Sequence, residues 1–102
     1  MFVIAARARD IVPGNLEDPL GSTSPLVELD VVDESGERMA LLRRRSAFSP
    51  VEGDEGLFFN SGFFVVVDGR CPRDESVHVH GTLVDDDGNL RCGDLTFRVS
   101  CP

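Results

Sequence analysis

At 102 residues the chain can enclose one hydrophobic core but cannot house separate substrate and cofactor domains, so a single domain over 1–102 is expected. Eighteen acidic residues against ten basic ones give a formal net charge of −8, which opposes phosphate backbones and anionic lipid surfaces and disfavours nucleic-acid and membrane partners. An apolar fraction of 41% excludes intrinsic disorder, and no apolar run approaches the roughly 18 residues of a membrane-spanning helix.

The opening residues lack a basic leader followed by a long apolar segment, which predicts a cytoplasmic protein. Residues 2–9 alternate, with Phe2, Ile4, Ala6 and Ala8 on one face and Val3, Ala5, Arg7 and Arg9 on the other, as a strand with one buried side does. From Asp10 to Pro25, three prolines and two glycines forbid a regular element and predict a long loop, a candidate contact surface. Residues 26–33 and 37–45 flank Ser35-Gly36. A two-residue turn there sets Val31 opposite Ala40 and Leu29 opposite Leu42 on an apolar face, and Glu28 opposite Arg43 on the other. The alternative is a helix over 37–48, because Glu-Arg-Met-Ala-Leu-Leu-Arg-Arg-Arg consists of good helix formers, and the fold would then be α+β.

Ser46 to Glu55 reads as another loop. The densest apolar stretch follows, Leu57 to Val67, with four of the seven phenylalanines and three consecutive valines. Asn60-Ser61-Gly62 interrupts it with residues that tolerate a tight reversal, predicting a hairpin of strands 56–60 and 63–68; a single bulged strand is the alternative. The hairpin pairs Phe59 with Phe64 on one side and Phe58 with Val65 on the other. A strand pair apolar on both sides must be covered twice, which predicts an interface with a partner or a second copy around Phe58, Phe63 and Val65.

After a loop at 68–74, residues 75–84 alternate, with Val77, Val79 and Leu83 on one side and His78, His80 and Thr82 on the other. Asp85-Asp86-Asp87-Gly88 is a turn; a two- or four-residue loop there puts Cys92 on the Val79/Leu83 face, and a three-residue loop reverses it. A further turn at Gly93-Asp94 precedes Leu95, Phe97, Val99 and Cys101 at period two. Seven or eight short strands with turn signals between them predict an all-β domain, a small antiparallel sandwich or barrel.

Two imidazoles two residues apart on a strand project from one face, so His78 and His80 are candidate metal ligands. With Asp85 they form His-x-His-x4-acid, which resembles part of the first metal motif of the cupin family over residues 78–85, with Asp in place of Glu and no third histidine in the chain. The resemblance implies a small barrel holding a divalent metal on His78, His80 and Asp85. Alternation supplies the other reading, solvent-facing imidazoles above an inward row of Val77, Val79 and Leu83.

Three cysteines at no recognised spacing predict reduced thiols, with Cys92 and Cys101 buried on strands. Cys71, between Arg70 and Arg73, is the candidate reactive thiol, since cations stabilise a thiolate. Arg43-Arg44-Arg45 is split by alternation: Arg43 and Arg45 face outward as candidate partner contacts for an anion or carboxylate, and Arg44 falls on the apolar side. No phosphate loop, nucleophile elbow or metal-protease helix occurs, and no catalytic residue is predicted. These readings predict a small acidic, non-catalytic interaction module of the inhibitor, immunity, antidote or accessory-subunit kind, with a basic protein as partner and no cofactor. A metal-binding barrel and a structural subunit of a symmetric homo-oligomer are the alternatives.

Overall fold

A computed structural model of the chain describes residues 2–65 and 75–98, with the backbone alone at Phe2, Val3 and Val65. Among the described residues, seven strands form two antiparallel sheets: β1 (Phe2–Arg9), β2 (Leu26–Val32), β3 (Arg38–Arg45), β4 (Ser49–Pro50), β5 (Leu57–Val65), β6 (Ser76–Val84) and β7 (Leu90–Arg98). One sheet has the order β1-β5-β4 and the other β3-β2-β6-β7. The all-β sandwich expected from the turn spacing is the fold, and among the described residues there is no helix.

The helix alternative fails at β3 because its alternation matches β2. Val31 pairs with Ala40, Leu29 with Leu42 and Glu28 with Arg43, as expected. Cross-strand packing on a shared apolar face outweighs the intrinsic helix preference of Met39–Leu42. The turn itself differs from expectation. Asp33 N–H donates to Glu37 O at 2.9 Å, so the loop holds three residues, and Gly36 takes a positive φ of 86° within it. The pairing shifts between Val31 and Val32, where Met39 is an extra residue that restores the expected register further along.

The sandwich closes over Val27, Leu29 and Val31 of β2 and Val77, Val79 and Leu83 of β6, which face Ile4 and Ala8 of β1 and Phe63 of β5. Phe48 lies 6.2 Å from Phe63, ring centre to ring centre. Arg44 is the polar intruder that alternation placed here. Its guanidinium stacks over Phe63 at 5.2 Å and donates from Nη2 to Gly62 O at 2.7 Å, which keeps part of the charge satisfied beside the core.

The expected hairpin at 57–67 is overturned. Leu57–Val65 is one strand, the bulged alternative, paired along its length with β1 from Arg9↔Leu57 to Phe2↔Val65. A two-residue reversal needs a left-handed residue, and Gly62 does not adopt positive φ. Instead Ser61 and Gly62 lie opposite Ala5 alone. Asn60 holds this bulge: its Oδ1 accepts from Gly62 N–H at 2.8 Å, and its Nδ2 donates to Ser46 Oγ and Ala47 O at 2.6 and 2.9 Å. The turn expected at Gly93-Asp94 is absent too, because β7 runs unbroken past both residues. Residues 46–55, read as loop, contain the two-residue β4 opposite Phe58 and Phe59.

The long segment 10–25 is fastened by its backbone. Pro13 O, Pro19 O and Pro25 O accept from Phe48, Ala47 and Ser46 N–H at 2.8, 2.9 and 3.0 Å. Among the described residues no helix is long and apolar enough to cross a membrane.

Candidate functional site

Each face of a strand inherits every second residue, so the bulge at Ser61-Gly62 decides what β5 shows to solvent. Phe58 and Phe63 turn inward, Phe63 fully buried and Phe58 half-buried against the core. Phe59 and Phe64 turn outward, 39% and 52% exposed, opposite Arg7 and Val3 of β1 in the register. Of the residues expected to form a contact surface, Phe58 and Phe63 therefore lie on the core side, and the exposed rings of β5 are Phe59 and Phe64. Strand β5 is apolar on both faces as expected, with the members exchanged. Of Val65 the structure gives only its place opposite Phe2, and Cys71 and Cys101 lie outside the described residues.

On β6 the imidazoles face outward, above the buried Val77 and Val79. The acid that meets them is Asp94, opposite His80 in the register, rather than Asp85. Asp94 Oδ1 accepts from His80 Nδ1 at 2.8 Å and from His78 Nε2 at 3.0 Å. Both nitrogens carry hydrogens to donate, and the other ring nitrogen of His78, Nδ1, lies 2.9 Å from the Thr96 hydroxyl. Hydrogen bonds from His80 first and His78 second hold the Asp94 carboxyl below its usual range. All three side chains are about half exposed. Among the described residues, no group of three or more His, Cys, Asp or Glu side chains is arranged to hold a metal ion.

Asp85, expected as the third metal ligand, is buried and spends its carboxylate on the chain itself. Its Oδ1 accepts from Asp87 and Asn89 N–H at 3.1 and 2.8 Å, and its Oδ2 from Val12 N–H and Asn89 Nδ2 at 2.7 and 2.9 Å. Burial pushes this carboxyl up, but the bonds from Asn89, Val12 and Asp87 outweigh it and hold the group below the ordinary carboxylate range. Asp85 closes a three-residue loop, with Asp85 N–H donating to Asn89 O at 3.1 Å. A three-residue loop turns Cys92 onto the Thr82 face, where it is exposed and free, which corrects the expectation of a buried thiol.

Arg43 and Arg45 face outward as expected. Arg43 Nε stands 3.9 Å from Glu28 Oε2, and Arg45 Nη1 donates to Ser24 O at 3.0 Å. Three features escaped the sequence reading: Asp94 as the partner of both histidines, the outward turn of Phe59 and Phe64, and a cleft of about 270 Å³ between β1 and β7. The first was legible only with the β6–β7 register, and the second only with the bulge. The third needs strands far apart in the chain to be neighbours. Compared with known proteins, the chain matches no family model, no curated protein and no solved structure.

Proposed function

We propose that this protein is a small acidic, non-catalytic interaction module of the inhibitor, antidote or accessory-subunit kind, and that it meets its protein partner with the outer face of the three-stranded sheet. The observation that carries this reading is the pair Phe59 and Phe64, exposed on the outer face of a sheet whose other face is core. Exposed aromatic rings on a rigid sheet supply large contact area at little conformational cost, and such residues dominate binding energy at protein interfaces. A net charge of −8 favours a basic partner and speeds the encounter at low salt.

Affinity capture with the wild-type chain and with a Phe59→Ser, Phe64→Ser double variant tests it. The wild type retains a basic protein that the double variant releases, at an unchanged urea midpoint, and retention weakens as salt rises. Identical capture by both chains removes the reading. Light scattering separates the homo-oligomer alternative: a dimer dissolved by the same two substitutions assigns the face to a second copy.

A further inference from the structure

Strands β1 and β7 are edges of different sheets on the same side of the sandwich. Arg91 bridges them at one end, donating from Nε to Arg9 O at 3.1 Å and from Nη2 to Asp10 O at 3.2 Å. Beyond this bridge the cleft of about 270 Å³ runs between Ile4–Ala8 of β1 and Arg91–Leu95 of β7. Its floor is the core face of the larger sheet, Leu29, Val79 and Leu83. Gly81 and Gly93 stand opposite each other there, and a Cβ added at Gly93 would meet nothing within 4 Å. Leu95, paired with the buried Val79, is 49% exposed. The inward face of β7 thus has an apolar floor and open space where side chains would normally interlock.

Three properties of the cleft specify its occupant. Its volume falls below the roughly 300 Å³ of the smallest ordinary ligand pockets, and it is open along one side, so it would bury little of a small molecule. Its β1 wall is backbone. Arg9 C=O points across to β7, and residues two apart in a strand direct their N–H and C=O the same way, so Arg7 and Ala5 present theirs to the cleft. Five residues of wall on each side make about 14 Å at the usual rise, the length of a five-residue strand. The rim carries Asp94 on β7, whose carboxylate is engaged by His78 and His80, and Arg7 on β1, which is exposed and whose guanidinium, among the described residues, meets no carboxylate or carbonyl.

We propose that the β1–β7 cleft binds an extended peptide segment of a partner protein. The segment adds a strand to the open side of the sandwich, sets apolar side chains on Leu29, Val79 and Leu83 at alternate positions, and presents a carboxylate to Arg7. This site borders the Phe59/Phe64 face at Arg7, which lies opposite Phe59, but its floor of Leu29, Val79 and Leu83 and its β7 wall are no part of that face.

The test is a phage-displayed library of seven-residue peptides, selected on the full-length wild-type chain. Enriched peptides alternate apolar residues and carry Asp or Glu. They shift the backbone amide resonances of Ala5, Arg7 and residues 91–95. They bind at least tenfold more weakly to Gly93→Phe and to Arg7→Glu chains, and Arg7→Lys retains most of the affinity. The Gly93→Phe chain keeps its urea midpoint, because the added ring enters open space. The Phe59→Ser, Phe64→Ser chain binds the peptides as wild type does. If that double variant loses the peptides, they sit on the aromatic face and the cleft assignment is overturned. If it keeps them while also capturing the same proteins as wild type, the cleft stands and the aromatic-face reading falls. No enrichment, equal binding to the Gly93→Phe chain, concentration-dependent dimers blocked by Gly93→Phe, or enriched peptides without an acid would each overturn the proposal.

Discussion

The two sheets turn different surfaces to solvent. On the four-stranded sheet, polar groups meet partners across the strands: Arg43 with Glu28, Arg38 with Asp30, and His78 and His80 with Asp94. The exposed large apolar residues of its outer face, Leu41 and the Val84–Leu90 pair, are separated in the register by Glu28 and Thr82. On the three-stranded sheet, two rings of one strand share the outer face with Arg9, which pairs with Asp54 at 3.0 Å, and with Arg7, which meets no carboxylate among the described residues. A face whose charges are satisfied within the chain has little left for a partner. The other face has its exposed rings still to be covered, which is why the proposed contact lies there.

Adjacent residues of β5 sharpen this contrast most. Phe63→Ala should cost about 3–5 kcal/mol, the usual range for deleting a buried ring, and Phe64→Ala should stay within about 0.5 kcal/mol. Urea unfolding of the two variants measures both. Equal losses would mean that the bulge does not set the faces as described.

The next largest effect is expected at Asp85, which ties the β6–β7 loop to Val12 in the long segment. Asp85→Ala leaves Val12 N–H and the Asn89 groups without their acceptor, a loss of about 1–3 kcal/mol at pH 7. Because the folded carboxyl is held below its ordinary range, its contribution is complete above the unfolded value near about 3.9 and is lost as pH falls through the folded value. The stability gap between wild type and Asp85→Ala should therefore narrow on acidification from pH 7 to pH 3. A gap that widened would place the shift in the other direction.

The sequence was most readable where neighbours in the chain are neighbours in space. The β2–β3 pairing follows from alternation around one turn, and the bulge at Met39 offsets the third residue of the loop. At β6–β7 the loop length alone chose the face of Cys92, and an Asp-x-x-Gly loop of three residues was one of the options open. The β1–β5 pairing is different, since the partners are separated by more than forty residues and alternation within 57–67 fits a hairpin as well as a bulge. What tips the balance is Asn60, which fills its hydrogen bonds with Ser46, Ala47 and Gly62, partners that local pattern does not reveal. Asn60→Ala should accordingly cost about 1–2 kcal/mol by urea unfolding and disturb the Phe59/Phe64 face, lowering capture of the partner. Unchanged capture in that variant would separate the bulge from the contact surface.

The smallest effect is expected on the paired face, at the two imidazoles. Their bonds to Asp94 are exposed, so losing one should leave the urea midpoint at neutral pH nearly unmoved, in contrast to Phe63→Ala on the opposite sheet. The sensitive observable is the Asp94 carboxyl itself, followed by its side-chain carbon resonance as acid is added. In wild type it titrates below the ordinary carboxylate range, because the ionised form accepts two N–H bonds and the protonated form gives them up. His80→Ala removes the stronger of these bonds and His78→Ala the weaker, so both variants should move the titration up toward the ordinary value, the first by more than the second. A larger movement from His78→Ala would show that the directly opposed pair is not the dominant contact. No movement from either would show that the outer face of the larger sheet is not satisfied internally, and the contrast between the two faces would then lose its basis.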